Sequence, residues 1–338
     1  MKTLVTGATG FVGSHVAGQV LSAGQSLRVL ARRGSDSRAL RGLEAERVEG
    51  DLRDADSLER ALQGVNRVFH VAADYRLWSR NPAEIYNSNV IGTRNLLAAA
   101  TRAGVEQFIY TSTVATIAVD RPTLPNEATE SKLDEMVGHY KRSKWLAEKE
   151  ALSTAKNGLP VIIVMPTTPV GPGDWKPTPT GKLIVDFLNG KMPGYVETGL
   201  NFVAVEDVAA GHLLAAERGK PGERYLLGAE NLTLKQFLDI LAQLTGLRAP
   251  RLKIPHAVAL GFAYSENAFS RLLGREPQIP VEGVKIARHN MFVDVSLARQ
   301  ALGFAPGPVA AALNRAVRWY EENGYSRTAV RREVVAAA

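Results

Sequence analysis

The chain has 338 residues, 45% of them apolar and 22% charged, which supports one large hydrophobic core or two unequal ones and excludes a disordered or fibrous chain. It has no cysteine, so disulfides, thiolate metal sites and a cysteine nucleophile are excluded. Its net charge of +7 admits an anionic partner such as nucleic acid, anionic lipid or an acidic cofactor. The basic residues are scattered among acidic ones, with no arginine stripe and no basic run interleaved with aromatics, so a nucleic-acid partner is not expected.

No window holds the roughly 18 uninterrupted apolar residues of a membrane span, and "MKTLVTGATG" passes directly into a strand pattern with no secretory h-region. No integral membrane segment and a cytoplasmic location are therefore expected. The first predicted strand is "TLVTG", followed by an amphipathic helix to about Ala23. Between them "TGATGFVG" sets Gly7, Gly10 and Gly13 at a G-x-x-G-x-x-G spacing, with Thr9, Phe11 and Val12 in the same turn. Glycines there permit a tight turn, close approach of backbone to a pyrophosphate and packing of helix on strand, while the helix N-terminus supplies amide donors. The position, strand before and helix after, makes the triplet a predicted dinucleotide site rather than an ordinary turn.

The second strand, "LRVLAR", ends at Arg32 and Arg33 with no Asp or Glu beside them. A carboxylate at this point bonds the ribose hydroxyls of NAD and repels a 2′-phosphate, whereas a guanidinium fork suits that phosphate. NADP(H) is therefore the expected cofactor, with NAD as the alternative. The third strand, "ERVEGD", leads into Asp51 and Leu52, where Asp51 can accept from the adenine amino group or instead cap the predicted helix around residues 57–62.

"VNRVFHVAA" then precedes a long helix to Ala103, "VEQFIYTST" precedes a helix predicted over residues 131–157, and "LPVIIVMP" closes the series. Strands that are apolar throughout and alternate with helices imply a parallel sheet covered on both faces, a Rossmann-type doubly wound α/β fold. After Pro166 the stretch "PTTPVGPGDWKPTPTG" has five prolines in sixteen residues and is predicted to be a long functional loop. A helix to Asn189, the strand "LNFVAV", a helix over 206–218, "ERYLLG" and mostly helical segments to Tyr325 follow. Residues 1–166 thus read as the dinucleotide-binding part, with segments around 195–228 returning to it. Residues 167–325 read as a smaller, mostly helical substrate lobe, and 326–338 as a flexible tail.

In the helix over 131–157 the inward stripe reads Leu133, Met136, Val137, Tyr140, Ala147, Ala151, and Lys144 falls on it. Lys144 can snorkel its charge to water along its own stem. The chemical alternative is that hydride transfer to a carbonyl needs a proton donor at the oxygen, and a phenol with a nearby ammonium to lower its pKa supplies one. Tyr140 and Lys144, one turn apart, have that arrangement.

At this point the chain resembles the extended short-chain dehydrogenase/reductase superfamily, through "TGATGFVG", "GDLRD", "FHVAA", "NVIGTRNLL", "YTSTVAT", "YKRSK", "PTTPVGP", "FVAVEDVA" and "DVSLARQALGF", in family order over nearly the whole chain. Within it the chain is similar to dihydroflavonol 4-reductase-like proteins and, more closely, to the hopanoid-associated sugar epimerase group, through "HVAADYRLWSR", "GHYKRSKWLAE", "KPTPTGKLIVDFLNGKMPGY" and "ENLTL". The resemblance implies Tyr140 as acid/base, Lys144 as its electrostatic partner and ribose ligand, and Thr113 as the hydroxyl that orients the substrate oxygen, with Ser112 the lesser candidate. It also implies that Asn89 is structural or a relay, that Ala72, Ala73 and Thr111 border the cofactor groove, and that Pro166 borders the nicotinamide carboxamide. Tyr75, Arg76, Trp78 and the loop from Gly171 to Gly181 are candidates to line the substrate.

Sugar-nucleotide epimerases of the family usually have Arg-Pro where this chain has Met165-Pro166, and a diphosphate-gripping arginine near the position of Asn201. The missing clamp, with Arg32 and Arg33, favours an NADP(H)-dependent reductase of a ketone or aldehyde. A nucleotide-sugar epimerase or dehydratase is the alternative, and a non-catalytic NADP(H) sensor, which would typically lose the Tyr-Lys pair, is a lesser one. The partner expected is thus a small carbonyl or sugar substrate, with no metal. Family members often dimerise through a bundle that includes the Tyr140 helix, which makes a homodimer an expectation of the resemblance alone.

Overall fold

The computed structural model describes residues 1–118 and 123–326; apart from Ser326, the tail expected to be flexible lies outside them. The chain begins in the middle of a sheet with β1 (Lys2–Thr6), turns through the glycines into α1 (Phe11–Ser22), and steps outward through β2 (Ser26–Ala31) to β3 (Glu46–Glu49). Helix α2 (Ala55–Leu62), whose Asp54 cap accepts from the amides of Asp56 and Ser57, carries it back to β4 (Arg67–His70) on the other side of β1. A segment of α3 (Ala83–Tyr86), a π turn over Asn87–Ile91 and α4 (Gly92–Arg102) leads to β5 (Gln107–Thr111); α5 (Gly138–Lys156) then leads to β6 (Val161–Pro166).

The first edge of the small second sheet is β7 (Thr168–Val170), followed by α6 (Pro179–Leu188), β8 (Gly199–Ala204) and α7 (Val205–Arg218). Strand β9 (Arg224–Leu227) returns to the large sheet, whose order is β3-β2-β1-β4-β5-β6-β9, parallel at every pairing. The remaining elements are β10 (Glu230–Thr233), α8 (Leu234–Thr245), α9 (His256–Leu272), α10 (Val281–Ile286), β11 (Asn290–Met291), α11 (Ser296–Leu302) and α12 (Val309–Glu322). Strand order reverses between β1 and β4, and in doubly wound sheets the crevice at the carboxyl ends of such strands is where ligands bind.

Successive strand residues feed opposite faces, as a two-residue period requires. Leu4, Phe108 and Ile163 join one buried cluster with α2, α4 and α5, while Val5, Ile109, Ile162 and Val164 join the other with α1 and α7. A third cluster, with Phe202 stacked on Phe237 at 4.6 Å, holds α6, α8 and α12 against β8.

Three expectations change in detail. The C-terminal region is helical but carries a four-stranded sheet in which β8 pairs with β7, β10 and β11. The proline-rich stretch is not all loop. Pro169 sits in the edge strand β7, where a missing N–H is tolerated. Pro179 occupies the first turn of α6, behind a Thr178 cap, where no donor is needed. The helix predicted over 131–157 begins only at Gly138, whose φ of +85° ends any continuous helix through it; Leu133 lies in a 3-10 turn and, like Val137, is exposed.

Candidate active site

The glycine turn is built by close approach. Gly7 has φ +74°, and a Cβ on it would sit 2.6 Å from the Ala72 nitrogen; a Cβ on Gly13 would sit 2.1 Å from the Gly7 carbonyl oxygen. Only glycines let β1, the start of α1 and the segment after β4 meet here, so Gly7, Thr9, Gly10, Phe11, Val12 and Gly13 come together with Ala72 and Ala73. The first turn of α1 has no side-chain cap and no acidic residue, which leaves its amides and partial positive charge for an anion. A dinucleotide pyrophosphate fits this cradle.

Past β2, Arg32 and Arg33 are exposed, and among the described residues no carboxylate lies within ion-pair distance of either. Asp51 is held by Arg53 through bonds of 2.9 and 2.7 Å. That bond to Arg53, with help from the more distant charge of Arg32, lowers its pKa to about 2. Its alternative role as a helix cap falls to Asp54. Leu52 packs under Gly92, and its carbonyl accepts from Asn95.

Helix α5 turns Tyr140, Lys144, Ala147 and Ala151 toward the sheet. Lys144 is 3% exposed, and its Nζ donates to Tyr110 Oη at 2.9 Å and to the Thr111 carbonyl at 2.7 Å, over the Tyr110 ring. Burial lowers its pKa to about 7, against the opposing attraction of Glu148. Tyr140 is half-buried, and burial raises its phenol while the bond with the Thr113 hydroxyl works the other way. Burial is the larger influence on this phenol, and the Lys144 ammonium is bonded to Tyr110 and the Thr111 carbonyl. Pro166 ends β6 buried beside this point, paired with Leu227.

Thr111 contributes through its carbonyl alone, since its hydroxyl meets His212 on the opposite face at 2.9 Å. Ser112, the lesser candidate for the substrate oxygen, instead donates to the buried Glu148 carboxylate. Asn89 is fastened on three sides: it accepts from the Asp74 amide at 2.7 Å and donates to the Asp74 carbonyl and Ser143 Oγ, both at 2.9 Å. It thereby joins the segment after β4 to α5. On that segment Tyr75 is exposed, Trp78 is half-buried, and Arg76 is tied to Asp74 and Glu84 at 2.6 and 3.0 Å.

The expected substrate loop reaches both ends of the site. His15 Nε2 donates to the Pro172 carbonyl at 2.9 Å, beside the glycine turn. Asp174 accepts from Thr178 N, Thr178 Oγ1 and Tyr320 Oη, and the Trp175 carbonyl accepts from Tyr325 Oη at 2.7 Å. Arg38, just after β2, lies 4.8 Å over the Trp175 ring.

This geometry has relatives. The family model described as the NAD dependent epimerase/dehydratase family matches residues 3–228. The chain belongs to that family. Relatives similar over most of their length include a Synechocystis sp. protein that carries the name of a dihydroflavonol 4-reductase, 45% identical with 96% of each chain covered. Sterol demethylase protein B of Methylococcus capsulatus is 37% identical over 96% of this chain and 99% of that one. Among solved structures, a nucleoside-diphosphate-sugar epimerase from Pseudomonas aeruginosa superposes with a TM-score of 0.80 at 31% identity, covering 97% of this chain and 99% of that one. The extended short-chain oxidoreductase resemblance read from the sequence is thus the right one.

Two side chains on the same helix escaped the sequence reading of this family member. Glu148, 3% exposed, accepts from Ser112 and from Thr116 Oγ1 at 2.9 Å, and pairs with Arg224 Nη1 at 3.0 Å; Arg224 also donates to the Glu127 carbonyl. Extending the stripe one turn past Lys144 would have found it. Lys141 is 8% exposed, and its one polar contact among the described residues is the Met291 thioether, at 3.8 Å; burial lowers its pKa to about 8. Its signal was a second lysine inside "HYKRSK".

Proposed function

We propose that the protein is an NADP(H)-dependent reductase of an uncharged ketone or aldehyde, with Thr113, Tyr140 and Lys144 as its catalytic set. The observation that carries this is the meeting of Tyr140 with Thr113 and of Lys144 with the Thr111 carbonyl, both at the carboxyl end of β5, two strands from the glycine turn. Gly7, Gly10, Gly13 and the α1 amides would hold the pyrophosphate, and Arg32 and Arg33 the 2′-phosphate. When bound, the nicotinamide supplies the hydride for the carbonyl carbon.

The chain's residues do the rest. Thr113 holds the carbonyl oxygen, and Tyr140 donates its proton to that oxygen as negative charge develops. A phenol kept protonated by burial is suited to the reducing direction. Lys144 supports the phenolate that remains, and Asn89 fixes the substrate-side segment to the same helix. An uncharged substrate is supported by Asn201, which is 2% exposed with its amide taken up by Asn231 and the Ala229 amide. It offers no grip on a diphosphate. The names of the Synechocystis and Methylococcus relatives, a flavonoid-type reductase and a sterol-processing protein, point to ring compounds of low polarity.

The test follows NADPH absorbance against ketones, aldehydes and nucleotide-sugars. Tyr140→Phe should lower kcat by about 10²–10⁴-fold with NADPH affinity nearly unchanged. Turnover retained in that variant, or interconversion of a nucleotide-sugar with no net NADPH consumption, would refute the reductase.

A further inference from the structure

Among the described residues no helix is long and apolar enough to cross a membrane, yet α9 exposes an apolar face of another kind. Of its 17 residues only Ala263 and Ser270 are buried. Val258, Phe262, Phe269 and Leu272 are 55–85% exposed and fall within one arc of the helix, and Leu273 extends the patch at 58%. Isolated exposed hydrophobics need no explanation, but a helix-long stripe of them does.

The surroundings of the stripe are basic. Residues 248–288 hold seven Lys and Arg against three Glu, a net of +4 out of the chain's +7. Two of the three carboxylates are engaged within the fold: Glu266 accepts from Ser270 at 2.7 Å, and Glu282 accepts from the His139 amide at the start of α5. Arg275 lies over the Phe269 ring and Lys285 over the Tyr264 ring, each at 5.7 Å, which puts cations beside aromatic faces. A second copy of the chain would bring this basic surface against itself. An apolar stripe framed by cations is the pattern of a helix lying in the headgroup layer of an anionic bilayer.

We infer that α9 docks the protein on anionic lipid bilayers, with Val258, Phe262, Phe269 and Leu272 in the acyl boundary and Arg251 and Arg275 at the headgroups. The placement orients the site. His256 Nε2 donates to the Val284 carbonyl at 2.7 Å, so α9 is bonded to α10, and Glu282 of α10 abuts Gly138 at the start of the Tyr140 helix. Arg80, on the segment after β4, lies beside Gly274 just beyond α9. A bilayer against α9 therefore faces the substrate side. The docking does not depend on the reductase reading, because its readout is lipid binding.

The full chain is sedimented with phosphatidylglycerol/phosphatidylcholine vesicles and with pure phosphatidylcholine vesicles, in low and high salt. Binding is expected on the anionic vesicles, weaker by about tenfold or more on neutral ones and in high salt. F262E/F269E/L272E should abolish it while circular dichroism and NADPH binding persist. R251E/R275Q, which leaves the apolar face whole, should weaken it by about tenfold or more. No wild-type binding to anionic vesicles, or undiminished binding by both variants, overturns the inference. So does a wild-type dimer in sedimentation velocity that the triple variant converts to monomer, since the face is then an interface between copies.

Discussion

Glu148 Oε1 receives the part-buried Arg224 guanidinium at 3.0 Å, fastening the helix of Tyr140 and Lys144 to the outermost strand of the large sheet. The Arg224 side chain is 21% exposed and that of Glu148 4%, so removing the guanidinium leaves a buried carboxylate short of one partner, at a cost of about 1–3 kcal/mol. Arg224→Met is expected to lower the unfolding free energy by that order in urea titration. E148Q/R224M should lose clearly less than the two single losses combined; strict additivity would show that the two side chains do not act together.

Cofactor choice is expected to rest on Arg32 and Arg33. Each charge-assisted bond to a 2′-phosphate is worth about 1.5–3 kcal/mol, so Arg32→Ala or Arg33→Ala should raise the Kd for NADPH by about 10–100-fold. NADH affinity should hardly move. Equal losses for both nucleotides, read by fluorescence titration, would show that the arginines recognise no phosphate.

Lys141 sets a pH dependence of stability. Its pKa in the folded chain, about 8, lies below the ordinary 10.5, so the unfolded chain holds the proton more tightly. The resulting penalty is full below about pH 8, shrinks as pH rises toward 10.5 and is absent above it. Lys141→Met should therefore be more stable than the wild type at pH 7, by an amount that narrows between pH 8 and 10. Urea midpoints across that range check it, and a gap independent of pH would assign the gain to packing alone.

The glycine cradle admits a steric test. A Cβ on Gly13 would stand 2.1 Å from the Gly7 oxygen, so Gly13→Ala must open the turn. About 1–3 kcal/mol of stability and most of the cofactor affinity should go with it. Gly18→Ala in the same helix, where a Cβ meets nothing within 4 Å outside that helix's own backbone, should bind NADPH normally.

The large sheet was legible because its strands are apolar on both faces and alternate with helices, a pattern that local sequence carries. The glycine turn and the Tyr140–Lys144 pair were legible for the same reason: each lies within a few residues of itself. What escaped depends on partners far along the chain. The Arg224 partner of Glu148 is 76 residues away, and the Met291 neighbour of Lys141 is 150 away. The helix start was misplaced because the apolar spacing of Leu133 and Met136 continues smoothly across Gly138, while the backbone does not. Ser112 stayed a lesser candidate beside Thr113 in "YTSTVAT"; adjacent residues on extended backbone point opposite ways, and only the fold shows that Ser112 meets Glu148.

Pro172 hangs on His15 at one end of its segment, and Trp175 is gripped by Tyr325 and Arg38 at the other. A single strap thus bears on the glycine turn, the stretch beyond the second strand and the last helix at once. On the proposed reading, loosening that strap to admit a bulkier substrate would also perturb the hold on the coenzyme, so the two specificities would have to be re-optimised together rather than one after the other.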